Sequence, residues 1–257
     1  MKISKKQISE IRFLHQKKFR DEHGLFLVEG TKSVLELLES EWQVKELYAT
    51  PLWLGEYRGK IASPLLTIET GEKEMERIST LKTPQEVLAI VRKPLHKLQN
   101  IDTGKTILVL DGIRDPGNLG TIIRTADWFG IDQIICSEDT VEYTNPKTIQ
   151  ASMGSFIRTQ LVYTSLEHFF SDLQEPFPVY GTFMEGIPVC DIKFGEGCRI
   201  IIGNESRGIS SGLLPFITEK ITIPSPKESR TESLNASVAS AIVLYQYSIG
   251  KSSSSAM

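Results

Sequence analysis

Three short stretches concentrate side chains able to bind or activate a ligand. The first is LDGIRDPGNLGTIIRTADWFG, Leu110 to Gly130, where Asn118 closes a polar turn and Arg124 follows within an amphipathic segment. The second, IIIGNESRGIS, carries an isoleucine run into Gly203, Asn204 and Glu205. The third, ITIPSPKESRTESLNASVASAIVLYQYS, leads from Ile223 and Pro224 through a polar loop to Ser233, Leu234 and Asn235. An arginine two turns into a helix offers a planar fork that grips phosphate or carboxylate through paired hydrogen bonds. In open α/β sheets ligands sit beyond the carboxyl ends of strands, and all three stretches follow an apolar run.

Each residue also has a purely structural reading. Asp115-Pro116-Gly117-Asn118 suits a tight turn whose Asn caps the next helix. Glu205 reads equally as a surface carboxylate, Ser233 or Asn235 as a helix-start residue, and Arg124 as an exposed helical arginine. The concentration of polar groups after three separate apolar strands favours a site over three coincidences.

Several chemistries are excluded. A dinucleotide fold requires G-x-G-x-x-G after its first strand, and a phosphate loop requires G-x-x-x-x-G-K-[ST]; DGIRDPGNLG has neither, and Gly203 and Gly208 lack the following Lys-Ser/Thr. That disfavours an NTPase or a nucleotide-dependent oxidoreductase. No local motif suggests a Ser-His-Asp or Cys-His arrangement. Cys136, Cys190 and Cys198 are too few and scattered for a disulfide framework or zinc set, and the four histidines show no metal spacing. No metal is expected.

The elements that must position these residues alternate strand and helix throughout. Residues 4–19 read as a helix, followed by strands in GLFLVEG, VKELYAT, PLLTIET and QEVLAIVRKP and helices in TKSVLELLES and EKEMERISTL. This predicts a small α/β domain over residues 1–93, a linker at 94–104, a second α/β domain over 105–250 and a flexible tail at 251–257. In the second domain, strands are expected in TILVLDG, IDQIICSE, IRTQLVY, FPVYGTFM, CRIIIGNE and KITIPS, and helices at 119–129, 145–152, 165–173 and 233–248. Runs such as Ile107-Leu108-Val109-Leu110 suggest strands buried on both faces, hence a mostly parallel sheet.

The 257 residues carry a net charge of -3, but the basic groups cluster. Within the first twenty residues Glu10 is the only acid, against Lys2, Lys5, Lys6, Arg12, Lys17, Lys18 and Arg20. A local basic patch matters more to phosphate binding than the global sum; a solvated helix face is the other reading. With no apolar run near the roughly 18 residues of a membrane span and no signal peptide, a cytoplasmic location without a membrane partner is expected.

Taken together, the three stretches resemble the motifs of the SpoU/TrmH family of RNA ribose 2′-O-methyltransferases, in the family's order, across about residues 105–248. The first half is similar to that family's substrate-binding domain, an α/β module related to a ribosomal protein, through FLVEGTKSVLELL and TPQEVLAIV. The resemblance implies a C-terminal trefoil knot, a homodimer packed through helices beside it, and methyl transfer from S-adenosylmethionine to a ribose 2′-hydroxyl of RNA. Ribosomal RNA is favoured over tRNA because the appended domain resembles that of rRNA-modifying members. By the same resemblance Gly203, Ile223 and Leu234 contact the cofactor, largely through backbone. Asn118, Arg124, Glu205, Ser233 and Asn235 surround the target ribose. Arg124 would hold an RNA phosphate and polarise the 2′-hydroxyl, Asn118 and Glu205 would orient Arg124 or the ribose, and Ser233 and Asn235 would shape the pocket floor.

Two positions depart from the family pattern. Ser225 and Pro226 follow Ile223-Pro224, with no Gly, and PSPKESRTE is about two residues longer than usual; Glu86 stands where a Gly is common. The longer loop raises the alternative of a catalytically inactive RNA-binding or ribosome-assembly protein of the same fold.

Overall fold

Ser4 and Gln7 open the first helix by capping each other, the Ser4 hydroxyl accepting from the Gln7 amide while the Gln7 side chain accepts from that of Ser4. The computed structural model describes residues 3–173, 176–226, 231 and 233–254, with side chains described through Gly250. The expected helix over 4–19 is two, α1 (Lys5–Phe13) and α2 (Lys17–His23). The break is held by Arg20, whose buried guanidinium donates to the carbonyls of Leu14 and His15, each at 2.8 Å. A cation reaching back to the last carbonyls of a helix closes its end. Arg20 therefore leaves the basic surface that the sequence suggested.

β1 (Leu25–Glu29), α3 (Thr31–Leu38), β2 (Val44–Ala49), α4 (Pro51–Tyr57), β3 (Leu66–Glu69), α5 (Glu72–Ile78) and β4 (Val87–Arg92) follow. Their sheet has the order β1-β4-β2-β3, with only β2 and β3 parallel. Pro51 reads in sequence as a strand end, but it is also the first residue of a helix. The Thr50 hydroxyl caps that helix, accepting from Trp53 N at 3.2 Å, and proline at the first helical position sacrifices no hydrogen bond.

The other unit comprises His96–Tyr143 and Arg158–Met257. It holds β5 (Ile107–Leu110), α6 (Pro116–Trp128) and β6 (Gln133–Cys136). The chain then forms α7 (Pro146–Ser152), which belongs to the first unit, before β7 (Gln160–Tyr163), α8 (Leu166–Ser171), β8 (Val179–Pro188), β9 (Arg199–Ile202), β10 (Glu219–Thr222) and α9 (Ala236–Ser254). The α7 segment joins the first unit through aromatics. Phe156 stands edge-on to Phe26 and Trp42, with ring centroids 6.1 and 5.4 Å apart, and the Trp42 indole donates to Ile157 O at 3.1 Å.

All six strands of the second sheet are parallel, in the order β10-β8-β9-β5-β6-β7. β5, β6 and β9 are buried along their whole length, as the runs Ile107–Leu110, Ile134–Cys136 and Ile200–Ile202 lead one to expect, although β6 and β9 open on the buried polar residues Gln133 and Arg199. Val109, Ile135 and Ile201 meet Phe169 and Phe170 of α8 in the core. Leu110 pairs with Ile202 on one side and Cys136 on the other. The next residues, Asp111, Gly203 and Ser137, consequently leave the sheet side by side, with Asp111 N donating to Ile202 O and Ser137 N to Leu110 O, both at 2.9 Å. No described helix is long and apolar enough to cross a membrane.

Candidate functional site

Beyond β5 the chain turns into α6, which starts at Pro116 rather than at Leu119. Asp115 is the cap: its carboxylate accepts from the Asn118 amide at 2.8 Å, and Pro116 takes the first helical position. Relieved of capping, the Asn118 side chain is available for another role.

Beyond β9 the chain folds back on itself. Asn204 N donates to Gly208 O at 3.1 Å and Gly208 N to Asn204 O at 2.9 Å. Gly203 permits that closure, since a Cβ there would stand 2.5 Å from the Gly208 carbonyl carbon. Gly208 has φ +68, in the left-handed region. The Asn204 oxygen accepts from the amides of Ser206 and Arg207 at 2.9 and 3.1 Å, while its nitrogen donates to Gly112 O at 2.8 Å. At the far end, buried Asp111 accepts from Ser210 N at 2.6 Å and from the Ser210 hydroxyl at 3.0 Å. The loop is thus fastened at both ends to the turn after β5, and it holds Glu205 half-buried between them.

The third stretch completes the arrangement. α9 begins at Ala236, not at 233, and Asn235 precedes it. The Asn235 oxygen accepts from Ser237 N at 3.0 Å, Val238 N at 3.4 Å and the Ser237 hydroxyl at 2.6 Å. Its nitrogen donates to Asn118 Oδ1 at 2.9 Å, and Asn118 Nδ2 donates to Glu205 Oε1 at 2.6 Å. The Ser233 hydroxyl lies 3.5 Å from Glu205 O. Asn118, Glu205, Ser233 and Asn235 are therefore gathered into one cluster, drawn from all three stretches.

A cavity of about 490 Å³ opens over this cluster. Its lining includes Asn118, Asn204 and Asn235, the acidic residues Asp115 and Glu205, and the basic residues Arg114 and Arg207. Arg114 is tethered to Asp139 at 3.3 Å. The Ser137 hydroxyl, donating at 2.7 Å, and then Arg114 hold the Asp139 carboxyl below its ordinary range against partial desolvation. Arg207 makes no side-chain hydrogen bond or ion pair among the described residues.

The remaining expected residues lie apart from that lining. Arg124 is exposed on α6. Gly203 and Leu234 each adjoin a lining residue, and Ile223 directly follows β10. Leu234 is an exposed apolar side chain and Ile223 is half-buried. Within the longer loop, Ser225 and Pro226 are exposed, whereas residues 227–230 and 232 fall outside the described residues.

Asp111, Arg114 and Arg207 were given no role by sequence, and Asp115 and Asn204 were named there only as members of their turns. For Asp115 a signal existed, because a proline at the first helical position names the residue before it as the cap. For Asp111 it was an acid placed directly after a fully buried strand.

Residues 105–245 match the SpoU rRNA Methylase family, and residues 5–89 match the MRM3-like substrate binding domain. The chain is 34% identical over 248 residues to the 23S rRNA (guanosine(2553)-2′-O)-methyltransferase of Bacillus subtilis, covering 93% of this chain and 94% of that protein. Among solved structures, a TrmH-family protein from Porphyromonas gingivalis superposes with a TM-score of 0.86 at 33% identity, covering 96% of this chain and 98% of that one. An AdoMet-bound rRNA methyltransferase from Sinorhizobium meliloti gives 0.85 at 32% identity, with 93% of each chain covered.

Proposed function

Because the chain belongs to the SpoU rRNA methylase family, we propose that it transfers a methyl group from S-adenosylmethionine to a ribose 2′-hydroxyl of ribosomal RNA. The observation that carries this reading is the hydrogen-bonded series Asn235–Asn118–Glu205, which draws one residue from each motif into a single polar cavity. An inactive relative would have no need to keep all three in register. Mapping 2′-O-methyl positions in ribosomal RNA from cells with and without the gene tests it; identical maps would reject it.

The cofactor supplies an electrophilic methyl group on a sulfonium. Gly203, Ile223 and Leu234 fit a role in holding it. Two of them flank cavity residues, and Leu234, 43% exposed beside Asn235, offers apolar surface to an adenine ring. Arg124 is assigned to an RNA phosphate and to polarising the 2′-hydroxyl, and Ser233 and Asn235 to the cavity floor. Alignment of hydroxyl and methyl supplies much of the acceleration in such a transfer.

The first unit is assigned to RNA binding through Lys5, Lys6, Arg12, Lys17 and Lys18, all exposed on α1 and α2, a salt-sensitive contribution. The proposal extends to a C-terminal trefoil knot, a cytoplasmic location and a homodimer. Support for the dimer comes from Val238, Tyr245 and Ile249, exposed along one side of α9, and from Trp128 on α6, 82% exposed. Exposed apolar side chains on two helices suit an interface where they join into one patch.

A further inference from the structure

We infer that Glu205 is the group that takes the proton from the ribose hydroxyl, an assignment that rests on the methyltransferase reading above. The directions of the hydrogen bonds fix what each side chain presents. Backbone donors of α9 and the Ser237 hydroxyl occupy the Asn235 oxygen, so only its nitrogen can face Asn118. Asn118 accepts there and is left with its own nitrogen to give, which it gives to Glu205 Oε1. Amide orientation follows from such a network. The series is therefore one-way, running from the start of α9 to a carboxylate.

That carboxylate is held by one oxygen. Glu205 Oε2 has no hydrogen-bond partner among the described residues, and the residue lines the cavity. An ionised carboxylate only accepts, so the ligand group that suits Oε2 is a donor, as a ribose hydroxyl is. Arg124 meets none of these requirements, because a guanidinium keeps its proton and this one is exposed outside the cavity lining. Arg114 and Arg207 line the same cavity and can only donate. Asp115, the other carboxylate there, is exposed and serves as the cap of α6.

In the transfer step, the ribose oxygen forms its bond to the methyl carbon as the carbon–sulfur bond breaks. The bonding pair stays on sulfur, converting a cationic sulfonium to a neutral thioether. The hydroxyl proton passes to Glu205 Oε2 and later to water.

The test is Glu205→Gln, compared with wild type and Asp115→Asn. In the glutamine variant the side-chain oxygen retains the bond from Asn118, so its NH2 group faces the cavity, a donor where an acceptor is required. Single-turnover methylation of in vitro transcribed 23S rRNA is expected to slow by on the order of 10²–10⁴-fold. S-adenosylmethionine binding by calorimetry and transcript binding by filter retention should match wild type. Loss of the internal acceptor should also make the residual rate climb in proportion to hydroxide over a pH range where wild type stays level. The inference is overturned if Glu205→Gln stays within a few-fold of wild type, if weaker transcript binding accounts for its loss, or if the loss falls on Asp115→Asn instead. A wild-type protein that methylates no RNA overturns the underlying reading and this inference with it.

Discussion

Asn118 Nδ2 donates to Glu205 Oε1 at 2.6 Å although 87 positions separate the two in sequence. The contact depends on sheet register. Leu110 pairs with Ile202, so the turn after β5 and the loop after β9 emerge together, and two ties, Asn204 to Gly112 and Ser210 to Asp111, keep them together. Asp115 takes over the capping of α6, which leaves the Asn118 side chain to face Glu205.

Asn118→Ala should leave α6 intact, since Asp115 caps through the backbone amide, while removing a hydrogen bond to a charged group. Such bonds are worth about 1.5–3 kcal/mol, so methyl transfer should fall by roughly ten- to a hundredfold with S-adenosylmethionine affinity retained. Asn118→Asp should do worse, because it sets a second carboxylate against Glu205. Single-turnover rates for the two variants check this, and an aspartate variant as active as wild type would remove Asn118 from the relay.

Asp111→Ala should destabilise the protein as well as the site. It strands the Ser210 amide, whose 2.6 Å bond to Asp111 closes the loop holding Glu205, at a cost of about 1–3 kcal/mol. Urea denaturation should show an earlier midpoint with an unchanged slope, and methyl transfer should fall at temperatures where the variant remains folded. An unchanged midpoint would show that the loop is held by other means.

The fold was legible where burial is uniform and the elements local. Ile107 to Leu110 and Ile200 to Ile202 announce two-faced strands, and the three polar stretches at strand ends announce a site. The division of α1 from α2 was hidden because its cause is Arg20 turning back onto Leu14 and His15, a packing event without a local pattern. The attachment of residues 144–157 to the first unit was hidden for the same reason, since it depends on Phe156 meeting Phe26 and Trp42. In DPGN both Asp115 and Asn118 are good caps by type, and the position of the proline discriminates between them. The role of Asn235 was half legible: it starts a helix, as its residue type suggests, and the same side chain also reaches Asn118.

Arg207 lines the cavity with no side-chain partner among the described residues, which suits it to a phosphate of the bound RNA. Arg207→Ala should weaken transcript binding without altering S-adenosylmethionine affinity. The slope of log affinity against log salt should become shallower by about 0.7–0.9, the contribution of one phosphate contact. An unchanged slope would place the arginine outside the RNA path.

Phe129 and Tyr245 join α6 to α9 with ring centroids 6.3 Å apart, and Trp128, the residue before Phe129, is almost fully exposed. If this surface is the dimer contact, Trp128→Glu should raise the dimer dissociation constant at least about thirtyfold, since interface tryptophans commonly contribute 2 kcal/mol or more. Sedimentation velocity across a concentration series reads that shift. A wild-type protein that sediments as a monomer throughout would refute the dimer.

Arg124 permits an unusually clean test because it is exposed and has no side-chain partner among the described residues. Substituting such a position changes stability by no more than about 0.5 kcal/mol in most cases, so a lost activity reports on function rather than folding. Arg124→Ala should abolish methyl transfer while S-adenosylmethionine binding stays measurable. Arg124→Lys, which keeps the charge but loses the planar fork, should recover only part of the rate. With Glu205 taking the proton, the partly active Arg124→Lys should keep the wild-type dependence on pH, because the arginine serves to hold phosphate and polarise the hydroxyl. Full activity in Arg124→Ala would remove it from the site, whereas an Arg124→Lys rate that rises with hydroxide where wild type stays level would take the proton-accepting step away from Glu205.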